Sequence, residues 1–265
     1  MEKHIIGRGL LAGALGGLLA FVFARIFVEP VIARAIAFED GVSEAHAHDH
    51  GAGGGHDHGV ELFSRGVQAN IGLGFGVIAF AVAMGALFAV AYCVAYGRVG
   101  ALSPRMLSVL LAGGMFLSLY VVPSLKYPPN PPAVSLDETI QQRTLLYLLL
   151  VVLSAALLVA AVYLGRQLVG KFGTWNATLL GAGGYIVAMA VLMLVLPTID
   201  ETPGPLEDHG HIVFGGFPAD DLYEFRLYAF LTQLVMWATI GLVFAPLAAR
   251  LLGERPRRQQ AGLSA

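Results

Sequence analysis

Five of the chain's eight histidines fall in the stretch EAHAHDHGAGGGHDHG, Glu44 to Gly59. His46, His48 and His50 form one clump and His56 and His58 a second, with Asp49 and Asp57 among them and a Gly/Ala run between. Neutral imidazole binds Zn, Cu, Ni, Co and Fe, and carboxylates add oxygen ligands. A spacing of two sets alternate side chains on one face of an extended segment, and a Gly-rich run is flexible enough to fold around an ion. The competing reading is a polar low-complexity loop, or one that gains charge below about pH 6.5. The density of His favours metal. Catalysis fits less well, because a preorganised constellation needs rigid support, so the stretch reads as a capture arm of modest affinity. A second group lies in LPTIDETPGPLEDHGHIVFGGFPADD, where Asp200, Glu201, His209 and His211 stand near Glu207 and Asp208. Acids and imidazoles there make a second candidate metal patch, against the alternative of a solvated loop.

The elements that must position these groups are apolar. The chain of 265 residues is 57% hydrophobic and 13% charged, with a mean hydropathy of +0.71; soluble domains carry about 25% charged residues. A net charge of -2 implies no nucleic-acid surface. The single cysteine, Cys93, supports neither a disulfide framework nor a thiolate cluster. Six segments, near 5–28, 68–96, 106–123, 144–167, 176–197 and 226–251, approach or exceed the roughly 20 residues that span a bilayer. Backbone groups in lipid are satisfied only in helices or closed barrels, and these runs are too long and continuous for barrel strands. The expected fold is an all-α integral membrane protein: one transmembrane domain over 1–252, a bundle of six transmembrane helices with long outer loops. A basic cytoplasmic tail at 253–265 reads as disordered.

Charge sorting orients the bundle. With both termini cytoplasmic, the inner side carries Lys3, Arg8, Arg98, Arg105, Arg166, Lys171, Arg250, Arg255, Arg257 and Arg258, ten of the sixteen basic residues. Sixteen of the eighteen acids and seven of the eight histidines then lie outside. The alternative for the N-terminus is a signal peptide cleaved near Ala35-Ile36-Ala37; Arg25, Glu29 and Arg34 between the apolar run and that site argue against it. Either way the His segment is outside.

Gly9, Gly13 and Gly17, then Gly72 and Gly76, then Ala177 and Gly181 follow the small-xxx-small pattern of close helix packing, read as contacts within one bundle. Five prolines stiffen the second outer loop, and Ser135 with Glu138 forms a capping-box signature for a helix start. Arg25, Arg143 and Arg226 near outer helix ends are expected to snorkel or to pair with Glu29, Glu138 or Glu224. The middle of each span lacks charge, so no proton-relay acid is evident. Met84, Met115, Met189, Met193 and Met236 read as core fillers rather than soft ligands. Gly165 to Lys171 mimics the start of a P-loop, but Phe172 stands where Ser or Thr would bind magnesium and no strand precedes it. With no H-E-x-x-H or G-x-S-x-G, an enzyme is not expected.

The Gly-rich first span, the outer His run, KYPPNPPAVSLDETIQQR, and the set LPTIDETPGP, FPADDLYEFRLY and TQLVMW together resemble the predicted cobalt transporter subunit family CbtA. The resemblance covers nearly the whole chain. Its matching positions are Tyr127, Pro128, Asn130, Pro131, Pro132 and Asp137 in one loop, and Pro197, Glu201, Pro203, Phe217, Pro218, Phe225 and Arg226 in the other. It implies a multi-pass protein of a bacterial cytoplasmic (inner) membrane. It further implies cobalt uptake for cobalamin synthesis, alongside a small one-span partner, CbtB. No firm cofactor is expected. The ion handled is a divalent metal, Co²⁺ first, with Ni²⁺ or Zn²⁺ as the other ions such ligands hold. The other reading is a non-transporting membrane metal-binding protein, a sensor or a metallochaperone for another permease.

Overall fold

A computed structural model of the chain describes residues 2–49, 64–134, 136–199, 201–208 and 211–253. α1 (Glu2–Phe23) passes through a π-helical turn (Ala24–Val28) into α2 (Glu29–Asp49). α3 (Arg65–Val67) and a second π turn (Gln68–Gly72) lead into α4 (Leu73–Ala95). α5 (Pro104–Phe116) continues through a third π turn (Leu117–Val121) into α6 (Val122–Lys126). α7 (Asp137–Val195) and α8 (Ala219–Leu251) flank a short antiparallel hairpin of β1 (Leu206–Asp208) and β2 (His211–Phe214), which the sequence patterning did not suggest. Among the described residues, five helical stretches, Lys3–Ala45, Arg65–Ala95, Pro104–Lys126, Glu138–Val195 and Ala219–Leu251, are long and apolar enough to cross a membrane.

α1 and α4 lie in backbone contact. A Cβ on Gly9 would sit 2.5 Å from Ala89 Cβ, one on Gly13 3.1 Å from Gly85 Cα, and one on Gly17 2.8 Å from Ala81 Cβ. The small residues of α1 pack within the bundle as their spacing predicts, and their counterparts on α4 are Ala81, Gly85 and Ala89. Gly76 has nothing within 4 Å of an added Cβ. α8 packs against both α1 and α5, and Phe88, Tyr92, Trp237, Ile240 and Phe244 fill the core between them. Ser103 starts α5: its Oγ accepts from Met106 N at 3.2 Å, with Pro104 in the first turn.

α7 spans 59 residues but is not one rod. Ser154 Oγ and Tyr185 OH lie 2.7 Å apart, although 31 residues separate them; on a straight helix they would be about 46 Å apart. The chain reverses at Gly173, whose φ of 74° and ψ of 165° break the helix. Below the turn the two limbs touch through small residues, a Cβ on Gly181 falling 3.1 Å from the Ala161 carbonyl oxygen and 3.6 Å from Gly165 Cα. Leu150, Tyr185 and Met189 form the hairpin's own core, joined to the rest through Val122 and Tyr127. A Cβ at Gly173 meets nothing within 4 Å, so its glycine is needed for backbone freedom alone. Gly173→Ala is expected to lower stability by about 1–3 kcal/mol, the cost of an L-residue in that conformation, read as an earlier midpoint in equilibrium unfolding in mixed micelles.

The segment after residue 28 departs from the expected loop. Helix continues from Glu29 to Asp49. Val31 and Ala35 lie one turn apart and are buried, and Phe38 follows on the same side. Phe38 packs its ring 5.0 Å from Phe217 and 5.4 Å from Phe214. Arg34 holds Asp221 at 2.6 Å and Glu224 at 2.5 Å on α8. The arm is therefore an amphipathic helix seated on the loops, and HAHDH begins on helical rather than extended backbone. Positions two apart on a helix do not share a face as they do on a strand.

Candidate functional site at the loop-bearing end of the bundle

One carboxylate organises this end. Glu201, in the loop after α7, is 5% exposed. Its Oε1 accepts from Thr139 Oγ1 at 2.6 Å, and its Oε2 from Arg143 Nη1 at 2.8 Å and Asn130 Nδ2 at 3.1 Å. Thr139 and Arg143 stand one turn apart at the start of α7, so the helix presents both to the same carboxylate. Asn130 comes from the Pro-rich loop, and its Oδ1 accepts from Arg226 Nη2 of α8 at 3.0 Å. Arg143 Nη2 also donates to the Pro128 carbonyl. Two loops and two helices are thereby fastened to one another through Glu201.

Further bonds hold the same loops. Tyr127 OH donates to the Pro197 carbonyl at 2.8 Å, Lys126 Nζ to Thr198 Oγ1 at 3.0 Å, and Phe217 N to the Pro203 carbonyl at 3.2 Å. Burial pushes the Tyr127 phenol up from its ordinary value, which keeps it a donor. The expected arginine pairings are redistributed. Glu29 pairs with Arg65, Glu224 with Arg34, and Arg143 with Glu201; Arg25 Nε donates to Asn70 Oδ1 at 2.9 Å.

Among the described residues, the buried polar or charged side chains within the long helices are Glu29, which pairs with Arg65, and the serines Ser108, Ser118 and Ser154. Ser108 Oγ donates to the Gly241 carbonyl at 2.8 Å. Tyr120 OH is shielded from solvent and has no hydrogen-bond partner among the described residues. The interior is nearly uncharged, as the sequence indicated.

Of the candidate ligands, Glu201 is described and has both carboxylate oxygens engaged. A cation reaching it would have to displace Arg143. His211 is exposed on β2, in register with Asp208. His46, His48 and Asp49 lie on the last turn of α2 by their backbone. His50, His56, Asp57, His58, Asp200 and His209 lie outside the described residues, as does Ser135, the expected cap; the N-cap of α7 is Leu136, with no side-chain cap bond. Among the described residues, no three His, Cys, Asp or Glu side chains converge as a metal site.

The model of the family described as "Probable cobalt transporter subunit (CbtA)" matches residues 2–249. The chain belongs to the CbtA family. No curated protein matches it, and no solved structure does. CbtA is a transporter-subunit family rather than an enzyme family, and its description gives cobalt as the substrate. Five long apolar helices accord with a multi-pass membrane protein. The Glu201 anchor joins positions that carry the CbtA resemblance, namely Pro128, Asn130, Glu201 and Arg226. Thr139 and Arg143 complete it and went unremarked as partners. Their signal was the i, i+4 spacing of a hydroxyl and a guanidinium at a helix start.

Proposed function

We propose that the chain is the membrane permease subunit of a cobalt uptake system in a bacterial cytoplasmic membrane. The match along residues 2–249 carries this reading. Residues 1–252 form the single transmembrane domain and 253–265 its cytoplasmic tail. The reversal at Gly173 supports counting Glu138–Val195 as two spans, which makes six crossings in all. An even number puts both ends of the chain on the side where Lys3, Arg8, Arg98, Arg105, Arg166, Lys171 and Arg250 collect. The loop-bearing end is then the outer one.

Function divides between two parts of that outer end. α2 is 21 residues long, about 30 Å of helix, and is fixed to α8 by Arg34. It acts as a stalk for the capture arm, in which His46, His48, Asp49, His50, His56, Asp57 and His58 gather the ion. Asp200, His209 and His211 extend the patch from the other loop. Glu201 serves mainly as the anchor that keeps the mouth in one shape. Co²⁺ over Ni²⁺ or Zn²⁺ follows from the family, since imidazole suits all three. A one-span CbtB-like subunit is the expected partner.

Radiolabelled cobalt uptake into liposomes containing the chain, alone and with that partner, tests the reading. Replacing the five arm histidines with Ala is expected to raise the half-saturating cobalt concentration and leave the maximal rate nearly intact. A maximal rate lost at saturating cobalt would remove the capture role. Binding without flux in both preparations would favour a metal sensor or metallochaperone.

A further inference from the structure

We propose that an oxyanion, a phosphate or a carboxylate, binds at Arg226 at the loop-bearing end of the bundle. The observation is an arginine that pairs with no carboxylate among the described residues. Arg226 Nη2 donates to the Asn130 amide oxygen at 3.0 Å, a neutral acceptor. Its Nε is shielded from solvent and has no hydrogen-bond partner among the described residues. Among the described residues, the neighbouring charge that acts on it is Arg143, which repels it.

Three described acids of this end are committed elsewhere. Asp221 and Glu224, on its own helix, hold Arg34 at 2.6 and 2.5 Å. Glu201 holds Arg143 at 2.8 Å and has both oxygens occupied. Asn130 stands between, donating to Glu201 and accepting from Arg226, so the amide relays geometry but supplies no charge.

A guanidinium stays protonated in proteins, and withdrawing it from water without a compensating charge is unfavourable. Snorkelling does not relieve the cost here, because the Nε is the shielded atom. Guanidinium N–H groups form a planar fork that matches carboxylate and phosphate oxygens. Among the described residues none supplies that counterion, and an oxyanion from outside the chain would. Two sources share that chemistry, a lipid headgroup at the membrane interface and a soluble anion. The site stands whether or not the chain moves cobalt. If it does, a bare divalent cation is repelled from this corner of the mouth, and an ion passing there does so beside a bound anion.

The test uses the full chain purified in dodecyl maltoside at fixed ionic strength. Its thermal unfolding midpoint is followed against inorganic phosphate, then against micelles doped with phosphatidylglycerol or phosphatidylcholine. A ligand of the native state raises the midpoint with the logarithm of its concentration above Kd. The parent should show this rise with phosphate, which assigns a soluble anion, or only with phosphatidylglycerol, which assigns the headgroup. Arg226→Gln should abolish it and Arg34→Gln should retain it. Arg226→Lys keeps the charge but loses the fork, and should weaken the apparent affinity at least about tenfold. No rise in the parent, an undiminished rise in Arg226→Gln, or an Arg226→Lys curve superimposed on the parent's would overturn the proposal. The lysine variant decides the matter if the glutamine variant does not fold.

Discussion

Arg143→Met is expected to destabilise the protein by about 3–5 kcal/mol, the range for removing one partner of a buried ion pair. The Glu201 side chain is 2% exposed and that of Arg143 17%. Methionine keeps much of the arginine stem's packing and removes only the cation and its donors. The carboxylate would then remain shielded with Thr139 and Asn130 alone, and the Pro128 carbonyl would lose its donor. Glu201→Gln removes the charge from the other side and strands Arg143 near Arg226, so it too should destabilise. The double variant buries neither orphan. Its cost should fall short of the sum of the two by at least about 1 kcal/mol, within the range for residues in direct contact. Equilibrium unfolding of the four proteins in mixed micelles measures this coupling. Additive costs would mean that the pair does not anchor the mouth. The cycle also bears on metal binding: a divalent ion that ligates Glu201 should stabilise Arg143→Met more than it stabilises the parent.

This anchor shows what single-sequence reasoning reaches and where it stops. Glu201 drew notice because it is an acid in a loop with other acids and histidines. That pattern cannot separate a carboxylate held for an ion from one held by an arginine 58 positions away. The distinction depends on which helix start faces the loop, a tertiary fact. The same limit explains Arg143, whose expected partners were nearby acids along the chain or on the same membrane side. Asn130 and Arg226 were visible only as part of a familiar motif. The roles of those positions emerge from the Asn130 amide, which turns one face to each.

The helices were easier. Apolar runs long enough to span a bilayer are local signals, and each expected span falls within or mainly on an observed helix. Outside those runs the local signal is weaker. α2 carries charges, a Gly and two His, so composition suggested a loop. Its helix rests instead on Ala35 and Phe38 meeting Val134, Phe217 and Phe214, partners supplied by two distant loops. The turn between the two limbs of α7 is the reverse case. KFGTW contains one glycine that no pattern singles out, yet its backbone conformation reverses the chain.

Gly85→Leu should leave little folded protein, while Gly76→Leu on the same helix should be close to neutral. The sequence marks Gly76 as one of a small-residue pair and says nothing of Gly85, so the two substitutions separate pattern from packing. A Cβ at Gly85 would collide with the Gly9 carbonyl oxygen and lie 2.8 Å from Gly13 Cα and 2.9 Å from Gly13 N. These are backbone atoms of α1, which cannot rotate away as a side chain would. Relief requires α1 and α4 to separate, which also opens the contacts of Gly9, Gly13 and Gly17 along one face. Overpacking a core usually costs about 1–3 kcal/mol; a clash with backbone on a helix seam should reach or exceed the top of that range. Gly85→Ala adds the Cβ alone and should fall between. Gly76 presents nothing within 4 Å and is exposed on the bundle surface, where an added leucine meets lipid. Yield of monodisperse protein in detergent and the unfolding midpoint measure the order. Equal tolerance at both positions would show that α1 and α4 are not in backbone contact, and the four-helix core built on that contact would have to be redrawn.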